Sequence, residues 1–143
     1  MKLAIAAAMV FATSLVMTGA GPAVTFVDHE KVSAALAKGA VLIDQSNLQV
    51  RGSHRDTAGQ VEVHDRETDV IYVIEGEATF VTGGKMIGGK QTTPGQHLGD
   101  DIQGGESRHL VKGDVIVVAA GTPHWFKTVP RPISYYVVKV IGR

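Results

Sequence analysis

From residue 41 onward the chain is a succession of short runs rich in Val, Ile, Thr, Tyr and Phe, at 41–44, 48–54, 60–65, 69–75, 78–82, 108–111, 114–120, 125–129 and 133–141, separated by Gly, Asp, Asn and Ser. Apolar, β-branched runs of this length between turn residues are strands, and many of them with almost no helix predict a sandwich or barrel. No array repeat is present. One helical pattern precedes them. Asp28 is placed to cap it, Val32, Ala35 and Leu36 give residues 29–38 one narrow apolar face, and Gly39 stops it. This predicts a short helix over one end of the sheet, with a short edge strand at 24–27 before it.

Length and charge narrow the function classes. The 143 residues suffice for one domain with a core. Fourteen basic and fourteen acidic residues balance to a formal charge of zero, and no basic block points to nucleic acid. The expected partner is therefore a small-molecule ligand or substrate. There is no cysteine, which excludes disulfides, thiol catalysis and thiolate-bound metal. Any metal must use His, Asp, Glu or water.

The N-terminus opens with Lys2, continues without a charge from residue 3 to 17 and reaches small residues at 18–20. These are the parts of a secretory signal peptide, read here as residues 1–20. The alternative, a membrane anchor, is disfavoured because the Ala-rich apolar run is short for a span. The reading implies a periplasmic or secreted protein, with no stable membrane span after cleavage and a mature domain at 24–143.

The glycine-rich stretch 83–89 comes close to a phosphate-binding loop, but Gln91 stands where Ser or Thr is required and Pro94 prevents the helix that would hold the phosphates. It reads as a hairpin. The polar segment 91–107 reads as loop or loose hairpin, and 77–112 as an added hairpin or lid that controls entry to the domain.

Two stretches carry the chemistry. In 113–126, a β-branched run ends in a turn at Gly121 and Pro123, from which His124 opens the next strand with Trp125 and Phe126. The spacing is Gly113, five residues, Ala119, one residue, Gly121, two residues, His124. It resembles the second signature motif of the cupin superfamily, with Ala119 where the family usually has proline. Upstream, 59–76 resembles the first cupin motif when aligned on His64 and Gly76. The motif's first histidine then falls on Glu62 and its glutamate on Asp69. The resemblance covers about half of the chain. It implies an all-β, cupin-type double-stranded β-helix (jelly-roll) barrel with one short N-terminal helix, and a homodimer, since small cupins commonly pair through their sheets.

Strand geometry fits what the resemblance implies about a metal site. Residues two apart share a face, so Glu62 and His64 point one way while Val61 and Val63 point the other. Asp69 opens the neighbouring strand and can face them, and His124 completes the group. Glu62, His64, Asp69 and His124 are thus the expected metal ligands, with Glu67 as a fallback. Two imidazoles and a carboxylate with open positions suit a divalent ion such as Fe, Mn, Zn, Ni, Co or Cu. A lone histidine at a turn is ordinarily structural. Here two His and two acids converge, and without a cation the carboxylates would be buried together at a cost on the order of several kcal/mol.

Glu62 is either a fourth ligand or a catalytic general base beside the metal. Ile71 and Val73 share the strand face of Asp69, and Phe126 that of His124, which predicts a mainly apolar pocket. Arg51 and His109 are further candidates for its lining, and Arg51 and Arg55 for holding a substrate carboxylate, although a salt-bridged or solvated arginine is the commoner case. His54 is placed at the cavity or its rim, His97 in the loop and His29 on the surface. The expected function is a metal-dependent enzyme acting on a small organic substrate, of oxygenase, isomerase or decarboxylase/lyase type. The alternatives are a non-catalytic metal- or ligand-binding cupin module and a structural barrel without metal.

Overall fold

The computed structural model describes residues 22–142. The signal-peptide reading of residues 1–20 lies outside them. Among the described residues, no helix is long and apolar enough to cross a membrane.

The order is α1 (His29–Lys38), β1 (Ala40–Gln45), β2 (Leu48–Arg55), β3 (Val61–His64), β4 (Glu67–Thr82), β5 (Lys85–Ile87), β6 (Lys90–Thr93), β7 (Gln96–Gly99), β8 (Asp101–Gln103), β9 (Glu106–Val111), β10 (Val115–Val118) and β11 (His124–Ile141). The helix has the predicted limits. The Asp28 side chain accepts from the Lys31 amide at 3.0 Å, and the Gly39 amide closes the other end on the Ala35 carbonyl. It lies on β2 at Gly52, where an added Cβ would stand 2.8 Å from the Cβ of Ala35, so only glycine admits the helix this closely. The edge strand expected at 24–27 does not form. Val24 and Phe26 are exposed there, and the segment runs beside β1 without joining its ladder.

Two long strands organise everything else. Four expected runs merge pairwise: 69–75 with 78–82 into β4, and 125–129 with 133–141 into β11. β4 and β11 pair antiparallel from Glu67↔Ile141 to Thr82↔His124. Midway the register shifts around Thr128 and Arg131, where Pro130 and Pro132 have no amide to contribute to the ladder. Opposite this bulge Gly76 has φ 82°, and a Cβ there would stand 1.9 Å from the Pro132 carbonyl oxygen. The ribbon bends at this point. Its two halves enclose a core of Ile71, Val73, Ala78, Phe80, Phe126, Ile133, Tyr135 and Val137, joined by Leu110 of β9 and Val118 of β10.

β11 also pairs with β2 and, through His124↔Glu62, with β3. β3 continues to β7 and β6, while β9 and β10 flank β4. The result is an all-β jelly roll of the double-stranded β-helix type with one short helix. The segment 91–107, expected to be loop or a loose hairpin, supplies the β6–β7 hairpin and β8, with β7 also in register on β3 and β8 on β5. Its polar residues obscured it, because β6 and β8 are largely exposed, β7 is half-buried, and none has an apolar run to mark it.

Candidate metal centre

His64 ends β3 and His124 begins β11, and a backbone bond joins their surroundings. The Gly121 amide, in the turn before His124, donates to the His64 carbonyl at 2.7 Å. The ring centroids lie 5.0 Å apart. Phe80 stands behind His124, with ring centroids 6.1 Å apart. His64, Asp69 and His124 are the buried polar residues of the core, 7%, 4% and 5% exposed. Parity puts Glu62 and His64 on one face of β3, but among the described residues β3 forms no ladder with β4, so Asp69 does not face them across one as expected. It reaches the group from β4, which pairs with β10 and β11, while β3 meets β11 at His124↔Glu62.

The hydrogen bonds behind each imidazole fix its tautomer. Gln96 Nε2 donates to Glu67 Oε1 at 2.8 Å, and a carboxylate can only accept. The Gln96 amide therefore turns its oxygen to His64 Nδ1, which must carry the proton. His124 Nδ1 donates in the same way to the Thr122 carbonyl at 3.0 Å. In their neutral forms both rings thus present a lone pair on Nε2, as metal-ligating histidines do.

His64 Nε2 is buried and has no hydrogen-bond partner. It lies 3.5 Å from Glu62 Oε2 and 3.5 Å from Asp69 Oδ2, while His124 Nε2 is 3.8 Å from the same Asp69 oxygen. Donor atoms of Glu62, His64 and His124 all lie within 4.8 Å of one another, as do those of His64, Glu67 and Asp69. Such separations are too long for good hydrogen bonds and suit atoms spaced around a shared cation. An orphaned buried nitrogen between two carboxylates, Glu62 and Asp69, fits a divalent metal ion.

Lys139 and Arg55 complete the charge pattern. The Lys139 ammonium donates to both Asp69 oxygens, at 2.9 and 3.2 Å, and lies 2.8 Å from Glu67 Oε2. Arg55 donates to Glu62 Oε1 at 3.1 Å and to the Tyr135 hydroxyl at 2.9 Å, and lies over the Phe126 ring. Burial disfavours the charged His64 ring, yet Asp69 beside it holds its pKa above the ordinary value of 6.5. Burial would raise the Asp69 pKa, but His64 and Lys139 bring it below 3.8. For His124 burial wins, and its pKa lies below 6.5.

The cavity at this site has a volume of about 450 Å³, and its walls are polar. Arg51 lines it, as do Glu62, His64 and Asp69, together with Gln49, Ser53, Glu67, Gln96 and Lys139. Of the apolar lining that was expected, only Val137 is found, and none of Ile71, Val73 and Phe126. Ile71 and Val73 do share the face of Asp69, but the cavity stops at Asp69, and farther along β4 the two side chains pack into the closed core with Phe126. His109 is also outside the cavity. It sits on β9, 57% exposed, 3.1 Å from Glu77. His54 bonds Ser134, His97 bonds Asp65, and His29 is exposed.

Gln96 and Lys139 were not anticipated. Lys139 had a readable signal, because it continues the inward parity of Ile133, Tyr135 and Val137 and is the one charge in that series. Gln96 had none, since its strand carries no apolar alternation. On β2 the series Gln49, Arg51, Ser53, Arg55 is a polar inward face, visible once Gly52 is known to face the helix.

The family model described as Cupin matches residues 59–140, more than half of the chain. No curated protein matches. Among solved structures, the chain is similar to BH2720 from Bacillus halodurans, with a TM-score of 0.61 and 18% identity over 86% of each chain. An uncharacterised conserved protein with a double-stranded β-helix domain from Klebsiella pneumoniae aligns with a TM-score of 0.52 and 19% identity over 74% of this chain and 77% of that one. The DMSP lyase DddQ from Ruegeria pomeroyi gives 0.53 and 18% over 72% of this chain, which spans 46% of the lyase. At these identities the likeness is one of fold.

Proposed function

The chain belongs to the cupin family, and from that premise we propose that the pocket around His64 and His124 binds one divalent metal ion and presents it to a small organic molecule that is turned over there. His64, His124 and Asp69 are the ligands, and Glu62 is either a fourth ligand or the general base. The observation that carries this reading is the buried His64 Nε2, aimed without a partner at Glu62 and Asp69. When bound, the ion supplies Lewis acidity or oxygen activation. The protein's own part is to hold both imidazoles in the Nδ1–H tautomer through Gln96 and Thr122, to keep Asp69 ionised through Lys139, and to orient Glu62 through Arg55. Oxygenase, isomerase and decarboxylase/lyase chemistry are all compatible with this arrangement.

Elemental analysis of the purified protein and of His64→Ala and His124→Ala is the test. The expected result is one ion per chain in the parent and far less in both variants. Full occupancy in both variants removes the site. A non-catalytic binding module is the second reading, favoured by the number of donors: if Glu62, His64, Asp69 and His124 all bind, the tetrahedral site is closed. Oxygen uptake and turnover across a panel of small enols and hydroxy acids separate the two.

Export through the N-terminal 1–20 segment and pairing with a second copy belong to the same proposal. Pairing is supported by an apolar outer sheet face at the edge strand β10, where Val115 and Val117 are each 61% exposed beside Tyr72 of β4. Light scattering after gel filtration tests it, with a monomer mass opposing it.

A further inference from the structure

Three carboxylates and three cationic side chains line the cavity: Glu62, Glu67 and Asp69 against Arg51, Arg55 and Lys139. Two of the cations are committed. Lys139 holds Asp69 and Glu67, and Arg55 holds Glu62 and Tyr135. Arg51 is different. Among the described residues it makes no ion pair and no side-chain hydrogen bond, although it lines the same wall, half-buried, beside Gln49 and Ser53. A guanidinium taken partly out of water and left without a counter-ion is costly unless something anionic joins it.

The charge balance points the same way. The lining is neutral as it stands, and a divalent ion among the carboxylates leaves it with a surplus of two positive charges. Register places Arg51 relative to the ligands. Arg51 pairs with Val137, and Val137 with Ile71, next but one to Asp69 on β4. Arg51 and the metal site therefore stand on opposite sides of β11, with the backbones of β2 and β4 about 10 Å apart across two strand spacings. A molecule of a few carbons spans what the side chains leave open.

We propose that the cavity takes a small organic carboxylate whose carboxylate group is held by the Arg51 guanidinium, with Ser53 and Gln49 beside it, while its other polar end faces His64 and Asp69. This rests on the metal reading for the second contact but not for the first. Arg51 is a specificity-determining residue, and Glu62 and His64 act at the other end of the ligand.

The test is isothermal titration of the metal-loaded protein with aliphatic mono- and dicarboxylates of two to six carbons, each against its uncharged amide. The expected result is that at least one carboxylate binds, that its amide does not, and that Arg51→Gln weakens the binding tenfold or more while the metal content is unchanged. Arg51→Lys should recover part of the loss, which a merely structural role for Arg51 would not predict. Equal affinity in Arg51→Gln, or no binding by any acid in the panel, overturns the proposal. Failure of the metal reading appears separately, as absence of stoichiometric ion. The panel is then run on the metal-free chain, where binding that depends on Arg51 upholds the anion site and its absence overturns it.

Discussion

Lys139 stands directly across the β11–β4 ladder from Asp69, and its ammonium donates to both oxygens of that carboxylate. The carboxylate proposed as a metal ligand is thus already neutralised by a resident cation. Both partners are nearly enclosed, so the pair resists solvent screening. An ammonium beside a metal ligand opposes the ion's charge, and it keeps Asp69 and Glu67 tolerable when no ion is bound.

Replacing Lys139 with Met should separate those two effects. The metal-free protein should lose about 3 kcal/mol, because the buried Asp69 and the half-buried Glu67 lose their lysine. The metal-loaded form should lose less, and its affinity for the ion should rise. Urea melts with and without metal measure both. Equal destabilisation of the two forms would show that Lys139 does not compete with the ion.

Gln96→Leu breaks the chain from Glu67 through Gln96 to His64. The His64 ring then loses the partner that fixes its tautomer, and metal affinity should fall by roughly 10–100-fold with little change in fold. Competition with a chromophoric chelator reads the affinity. An unchanged constant would mean that packing alone orients His64.

Acidity acts on the metal and on the fold in different ways. His64 must lose its proton to bind an ion, and its raised pKa places that loss above 6.5, so affinity should climb as pH rises through neutrality and then level off. In the metal-free protein His64 has the opposite sign. Its contribution to stability is present below 6.5 and is lost as pH rises through its folded pKa. Asp69, depressed below 3.8, contributes above 3.8 and ceases to as pH falls through its lower folded value. Chelator competition and urea melts between pH 3 and 9 check these slopes. Metal affinity independent of pH near neutrality would contradict the assignment.

Gly76→Ala tests the bend. The new Cβ meets the Pro132 carbonyl oxygen and must take a positive φ, so a loss of about 3 kcal/mol or failure to fold is expected. Gly39→Ala, also at positive φ but with nothing within 4 Å, is the control and should cost less.

Periodicity and turn chemistry made the helix from Asp28 to Gly39 and the facing of Glu62 with His64 legible, since these needed only capping and parity. The continuity of β4 and β11 was hidden because Gly76 and the Pro130 to Pro132 stretch look like chain breaks, yet each breaks the ladder opposite the other and so makes a bend. The apolar pocket was misjudged for a related reason. Alternation tells which face of β4 holds Asp69, Ile71 and Val73, but not how far along that face the interior stays open. Gln96 was out of reach, since its place beside His64 depends on the register of a short polar strand with no hydrophobic signal.

β11 is hydrogen-bonded to β2, β3 and β4, all of which precede it by long stretches of chain. Contacts between segments so distant must close large loops, which makes them slow to form. Until β11 docks, β3 offers Glu62 and His64 without the opposing imidazole, and β4 offers Asp69 without its lysine. Capture of the proposed ion would therefore come late in the life of each molecule, into a finished container rather than as a template around which the strands assemble.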